Sequence, residues 1–249
     1  MKTVIMEEMS WPQVKKAMES GYKTVIIPVG SIEQHGPHLP LGTDYLRGYP
    51  VSREIAQRIG KTLVGPTVRP ALSEHHMRFP GTVTLRPETF RMVMEDYVDC
   101  YVRHGFKNII IINIHGGNAK ALESFAKENA DKYPGVKIVY PPMGNVLNRS
   151  SEEENVPPNI SGKHSGHMET STILAFYPQF VDMSAAEQGF TDEFTEELQQ
   201  KMHNEGIGSV TPNGILGDAR GAHAARGIRD NMRWADWYCE YVLERIKTD

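Results

Sequence analysis

From Ser31 to Asp44 the chain reads Ser-Ile-Glu-Gln-His-Gly-Pro-His-Leu-Pro-Leu-Gly-Thr-Asp, which sets Glu33, His35, His38 and Asp44 among Gly30, Gly36, Gly42, Pro37 and Pro40. Proline fixes φ and glycine permits turns closed to other residues, so this is a shaped loop. Carboxylates and imidazoles ligate metal ions and move protons. Glu33 and His35 are two residues apart, a spacing that puts both on one face of extended chain. Asp44 comes within reach if the loop curls back. A second loaded stretch is Asn113-Ile-His-Gly-Gly-Asn118, where Gly116 and Gly117 let the backbone turn beside whatever His115 holds. A third is His164-Ser-Gly-His-Met-Glu-Thr-Ser171. On one helix His164 and Glu169 would diverge by about 140°. With His164 in the preceding loop and Glu169 in the first helical turns, both can face one cavity.

Glu33, Asp44 and Glu169 with His35 and His115 suit two divalent ions. Asp44 would bridge them, and each ion would take one histidine, one private acid and a share of the bridge. Two dications against three carboxylates leave one positive charge, which a hydroxide would balance. Mixed nitrogen and oxygen ligands without cysteine suit Zn first, with Mn or Fe as further candidates. Singly, each residue has a structural reading. Glu33 and Asp44 could be loop-end caps, and His115 a hydrogen-bonded strand-end histidine. Glu169 could be a helix N-terminal acid favoured by the dipole. Their joint placement favours the metal site. His76, and less so His75, could line the pocket; His167 and Lys163 flank His164. Asn118 could cap the next helix, and Asp218 reads as a cap before a later one. No phosphate-cradling Gly-Lys-Ser/Thr motif is present, and Gly166-His-Met-Glu-Thr has His where a serine-hydrolase elbow has its nucleophile.

The elements that must position these residues follow from hydrophobic pattern. Strands are expected at Thr24–Val29, Thr62–Val68, Asn108–Asn113 and Val136–Tyr140. Helices are expected at Tyr45–Ile59, Pro87–Arg103, Lys120–Lys132, Glu169–Tyr177, Thr191–Asn204 and Asp230–Lys247. Uncharged strands separated by helices predict an α/β fold, a single three-layer α/β/α domain over residues 1–249 with a mostly parallel central sheet. In such sheets ligands bind at the carboxyl ends of strands, where the loops 30–44 and 113–118 belong. The acidic stretch 150–162 is the expected mobile loop.

The chain has 249 residues, 39% hydrophobic and 23% charged, as a globular protein does. A net charge of −4 gives no basic surplus for nucleic acid or an anionic membrane. No apolar run reaches the roughly 20 residues of a membrane span, and the first residues have acids where a signal peptide needs an apolar core. The two cysteines, Cys100 and Cys239, carry no motif spacing and read as reduced thiols of a cytoplasmic protein.

The segment Gly30–Asp44, the Asn113–Asn118 turn and the His164–Ser171 stretch together resemble the creatininase (creatinine amidohydrolase) family, and Phe79-Pro-Gly-Thr82 and Gly217-Asp218 match its style. The likeness spans about residues 20–225. It implies a cytoplasmic, metal-dependent hydrolase of cyclic amides and related C–N bonds, acting through a hydroxide held by two divalent ions. It also implies a single α/β/α domain and commonly a hexamer, a trimer of dimers. By this resemblance Glu33, His35, Asp44 and His115 are metal ligands and His164 the catalytic histidine. Gly117 stands where creatininase has a ligand glutamate, which leaves Glu169 as the substitute. Lys163 stands where creatininase has a glutamate before its catalytic histidine. Creatininase closes tryptophans over its substrate; here they are Trp11, Trp234 and Trp237, with none in 141–163. Creatinine itself is therefore disfavoured. His76, Gly81, Gly116 and Gly117 are candidate substrate contacts. The resemblance also covers formamide deformylases, peptide-trimming enzymes and ring-opening hydrolases of cyclic ketones. A non-catalytic, metal-stabilised oligomer is the reading from another class.

Overall fold

A computed structural model describes residues 2–143 and 156–246. The β-branched runs do form strands. β1 (Thr24–Val29) and β3 (Asn108–Asn113) lie side by side at the centre of a sheet. They pair in parallel over six residues, from Thr24 opposite Asn108 to Val29 opposite Asn113. β2 (Thr62–Val64) flanks β1, and β4 (Lys137–Val139) flanks β3. The order is β2-β1-β3-β4, parallel throughout. All of β1 is buried, as a parallel strand covered on both faces must be.

The helices are α1 (Trp11–Glu19), α2 (Thr43–Ile59), α3 (Pro87–His104) and α4 (Ala119–Asn129). They continue as α5 (Pro158–Ser161), α6 (His167–Phe176), α7 (Glu196–Glu205) and α8 (Ala224–Ile246). Alternate strand residues feed two cores. Ile26, Val64, Ile110 and Ile112 meet Val51 and Ile55 of α2 and Trp234, Tyr238 and Val242 of α8. Val25, Ile27, Leu63, Ile109 and Ile111 meet Phe90, Met94 and Val98 of α3, Leu122 and Phe125 of α4, and Ala17 of α1. The result is the expected α/β arrangement, a parallel sheet flanked by helices. Among the described residues no helix is long and apolar enough to cross a membrane. Cys100 and Cys239 are free thiols.

Several expectations shift. α1 was not anticipated, although Ser10 and Gln13 form a capping box at its start and Pro12 sits in its first turn. It fully buries only Ala17, with Val14 and Met18 of the same face packed partly against the core. β2 stops at Val64, with Val68 rejoining the sheet through a single bridge to Val29. α8 begins six residues before its expected start at Asp230, at Ala224. Part of the expected mobile stretch, 150–155, lies outside the described residues; 158–161 is the helical turn α5.

α6 and α8 cross closely at Gly227. A Cβ there would strike the Ser171 carbonyl and approach Thr172 Cα to 2.7 Å. Both obstacles are backbone and cannot rotate away. Gly227→Ala is expected to destabilise the fold by about 1–3 kcal/mol through overpacking, in spite of alanine's better helix propensity. A urea midpoint at or above that of the parent would contradict this crossing.

Candidate metal centre

Each loaded segment is delivered by a different element. The loops after β1 and β3 leave the carboxyl ends of adjacent central strands with Glu33, His35 and His115. Asp44 stands in the first turn of α2, and Glu169 in the first turn of α6. His164 precedes α6, bridged to Leu216. All six side chains are buried. Asp44 lies between the two imidazoles. Its Oδ1 is 3.4 Å from His35 Nε2 and its Oδ2 is 3.3 Å from His115 Nδ1. Each imidazole has a further acid of its own: Glu33 Oε1 is 3.2 Å from His115 Nδ1, and Glu169 Oε2 is 3.7 Å from His35 Nε2.

Backbone carbonyls assign the tautomers, because only an N–H can face one productively. His35 Nδ1 lies 3.1 Å from the Glu33 carbonyl, leaving a lone pair on Nε2. His115 Nε2 lies 2.9 Å from the Leu72 carbonyl, leaving Nδ1 bare. His164 Nε2 lies 2.8 Å from the Gln34 carbonyl, and its bare Nδ1 is 3.6 Å from Glu33 Oε1. His76 is the exception. Gln34 Oε1 accepts from Gly36 N at 2.9 Å, and its Nε2 donates to the Gly214 carbonyl at 3.1 Å. The amide nitrogen lies 3.0 Å from both His76 Nδ1 and His164 Nε2. With His164 Nε2–H turned to the Gln34 carbonyl, the second amide hydrogen goes to His76 Nδ1, and the hydrogen of a neutral His76 is on Nε2, 3.4 Å from Glu33 Oε1.

The donor set fits a divalent cation. Glu33/His35/Asp44, His35/His164/Glu169 and Glu33/His76/His164 each bring three potential ligand atoms within 4.8 Å of one another. Glu33 Oε1, His35 Nε2 and Asp44 Oδ2 are buried without any hydrogen-bond partner. Buried polar atoms are normally paired, and these three converge on one another. Protonation follows the same crowding. Burial pulls His35 down most, but Asp44, Glu169 and Glu33 together outweigh it and raise the ring to about 9. His115 is likewise raised, by Glu33 and Asp44 against burial. Burial opposes ionisation of Asp44, yet His35 and His115 hold it below the usual carboxylate range. His164 goes the other way, pushed down to about 3 by burial and by His35.

Sequence reasoning missed several supports. Ser73 donates to Glu33 Oε2 at 2.6 Å, and Arg47 donates to Glu169 Oε1. Asn118 caps nothing with its side chain; it ties Leu72 N and the Gly30 carbonyl together across the two loops. Asp218 is held by Arg220 in a turn ahead of α8 and does not cap it. Gly116 and Gly117 are exposed beside His115. A Cβ on Gly117 would collide with the His115 ring and the Leu72 carbonyl, the very pair that sets the tautomer. Gly81 occupies a left-handed turn, φ +93°, against Leu41. His76 is at the centre, whereas His167 receives Arg226 at 2.7 Å and Lys163 lies over the Phe194 ring.

The sequence pattern of creatininase, described as creatinine amidohydrolase, matches residues 7–242. The chain belongs to the creatininase family. Among curated creatininase relatives, the mycofactocin precursor peptide peptidase of Mycolicibacterium smegmatis is 32% identical over 86% of this chain and 82% of its own. The creatinine amidohydrolase of Pseudomonas putida is 28% identical over 73% and 75%. A crystal structure of creatininase superposes over all of both chains with a TM-score of 0.78 at 25% identity. Creatininase structures described as Mn and as Zn-Zn type share the fold, with TM-scores of 0.78 and 0.79 at 23% and 24% identity.

In chelator-treated protein, NMR titration of this creatininase-family centre is expected to separate the rings. His35 should titrate well above 6.5, and His164 should stay neutral down to at least pH 5. Two ordinary midpoints near 6.5 would contradict the crowding described.

Proposed function

We propose that this creatininase-family hydrolase holds two divalent ions and cleaves a carbonyl–nitrogen bond. Glu33 and His115 would hold one ion, His35 and Glu169 the other, with Asp44 shared between them. The observation that carries this reading is Asp44, whose two oxygens each face a different imidazole–carboxylate pair. Zinc suits the donors best, and manganese or iron also fits. Ions bound there supply Lewis acidity, polarising the carbonyl oxygen and lowering the pKa of water from 15.7 to about 7.

The chain's own groups do the rest. His164 is anchored by its Nε2–H on the Gln34 carbonyl, and the ring is neutral at pH 7. Its bare Nδ1 faces the acids, placed to take a proton from the attacking water and return it to the leaving nitrogen. Gly116, Gly117 and the turn at Gly81 offer main chain to the substrate with no Cβ in the way, and His76 stands beside Glu33. His76 keeps Glu33 company with an N–H, so it is not counted among the ligands.

The bond cleaved is that of a cyclic or a peptide amide. The cyclic reading follows from the family description. The peptide reading is favoured by the 32% identity to a peptidase that spans most of both chains. Trp11 is exposed on α1, while Trp234 and Trp237 pack among the side chains of α8. Neither Trp234 nor Trp237 is free to close over a small planar substrate. We take residues 1–249 as one domain, working in the cytoplasm as a homo-oligomer, a hexamer by family likeness, on a small-molecule or peptide substrate. Assay of cyclic amides, short peptides, formamides and cyclic ketones with the metal-loaded protein separates the substrate classes. No turnover on any of them would return the non-catalytic scaffold.

Elemental analysis tests the ligand roles. Asp44→Ala should lose both ions and Glu169→Ala mainly one. Full occupancy in Asp44→Ala would remove the bridge. His164→Ala should keep both ions while turnover falls about 10²–10⁴-fold. Unchanged turnover would assign the proton to another group.

A further inference from the structure

Glu169 is the one acid of the centre whose two oxygens are both taken by the protein. Oε1 accepts from Arg47 Nη1, and Oε2 accepts from Ser165 N at 2.6 Å. Ser165 holds a left-handed backbone conformation, φ 57°, which non-glycine residues seldom adopt. That turn aims its N–H at the carboxylate. Only Oε2 faces His35.

Arg47 is itself held firmly. It is buried, and it lies three residues after Asp44 on α2, so one helix face carries both. Its guanidinium carbon sits 5.2 Å from the centre of the Trp234 ring on α8, and Trp234 is buried too. Asp230 borders the same small cavity, but it is engaged by Arg226 at 3.0 Å and by Arg233 at 3.4 Å. Glu169 is thus the acid that Arg47 serves. A buried ion pair contributes little net stability once desolvation is counted. A fixed carboxylate orientation is what it does supply, and partners behind metal ligands act in this way.

We propose that Arg47 is a positioning residue that holds Glu169 as a one-oxygen ligand, through Oε2, for the ion on the His35 side. This rests on the two-ion reading above. With Arg47 in place, the Oε1 edge is closed and the carboxylate cannot rotate. Without it, Glu169 is free to swing or to present both oxygens. The ion held by Glu33 and His115 does not depend on Arg47.

Calorimetric zinc titration of chelator-treated parent and Arg47→Met, with elemental analysis, tests the assignment. Methionine keeps much of the packing against Trp234. The expected result is one equivalent bound as in the parent and the other weakened about 10–100-fold, with the thermal midpoint little changed. Arg47→Lys keeps the charge without the planar fork. It should weaken the same equivalent to a smaller degree, and it replaces the methionine variant if that one fails to fold. Two equivalents bound as tightly as in the parent, or more tightly, would overturn the proposal. So would equal weakening of both. A parent that binds fewer than two ions would instead overturn the two-ion reading itself.

Discussion

Three carboxylates, Glu33, Asp44 and Glu169, are buried around one small volume, and the structure supplies one guanidinium, Arg47, for one of them. Isolated buried charge is costly, and several kcal/mol per ion is usual even after relaxation. Positive charge must therefore enter the space between the acids. In the bare chain protons do so, which is why His35 and His115 are raised although burial works against them. Divalent cations meet the same demand with more charge. The shape of the centre is the shape of this electrostatic requirement, and Asp44 is its pivot because it touches both halves.

The rest of the molecule serves that requirement by stiffness. β1 and β3 fix the two ligand-bearing loops side by side, and Asn118 ties those loops to each other. Every imidazole at the centre is aimed by a fixed group. Main-chain carbonyls of Glu33, Leu72 and Gln34 take the N–H of His35, His115 and His164, and the Gln34 amide sets His76 the other way. The difference decides chemistry: in their neutral forms three rings offer electron pairs and one offers a hydrogen.

Much of this was readable from the chain. The strand cores stood out because Ile, Val and little else occupy them, and the six polar residues stood out by their joint placement, since singly each has a structural reading. Counting acids against histidines asks for one shared acid, for which Asp44 is the choice, and Asp44 does lie between the two imidazoles. α1 fully buries a single alanine, yet Val14, Ala17 and Met18 line one helical face, so its signal lay in spacing and in the Ser10–Gln13 capping box. What stayed hidden was whatever local pattern does not encode. Arg47 looks like any helix-surface arginine until α6 and α8 fold over it. Asn118 has the type and place of a cap, yet the strand-end loops offer its amide better partners. His76 could be placed near the centre but not given a tautomer, since that depends on Gln34 and on Gly214, remote in sequence.

The uniform character of β1 and β3 has one more effect. The interiors of both strands are apolar, Val25–Val29 and Ile109–Ile112, so sliding one past the other by two residues would keep these side chains on their proper faces. Hydrophobic burial alone distinguishes such misaligned pairings poorly. The slide would nevertheless carry His115 about 6.6 Å away from Glu33 and His35. A cation held at this centre would thus act as a proofreader of alignment, rewarding the pairing in which Val29 meets Asn113.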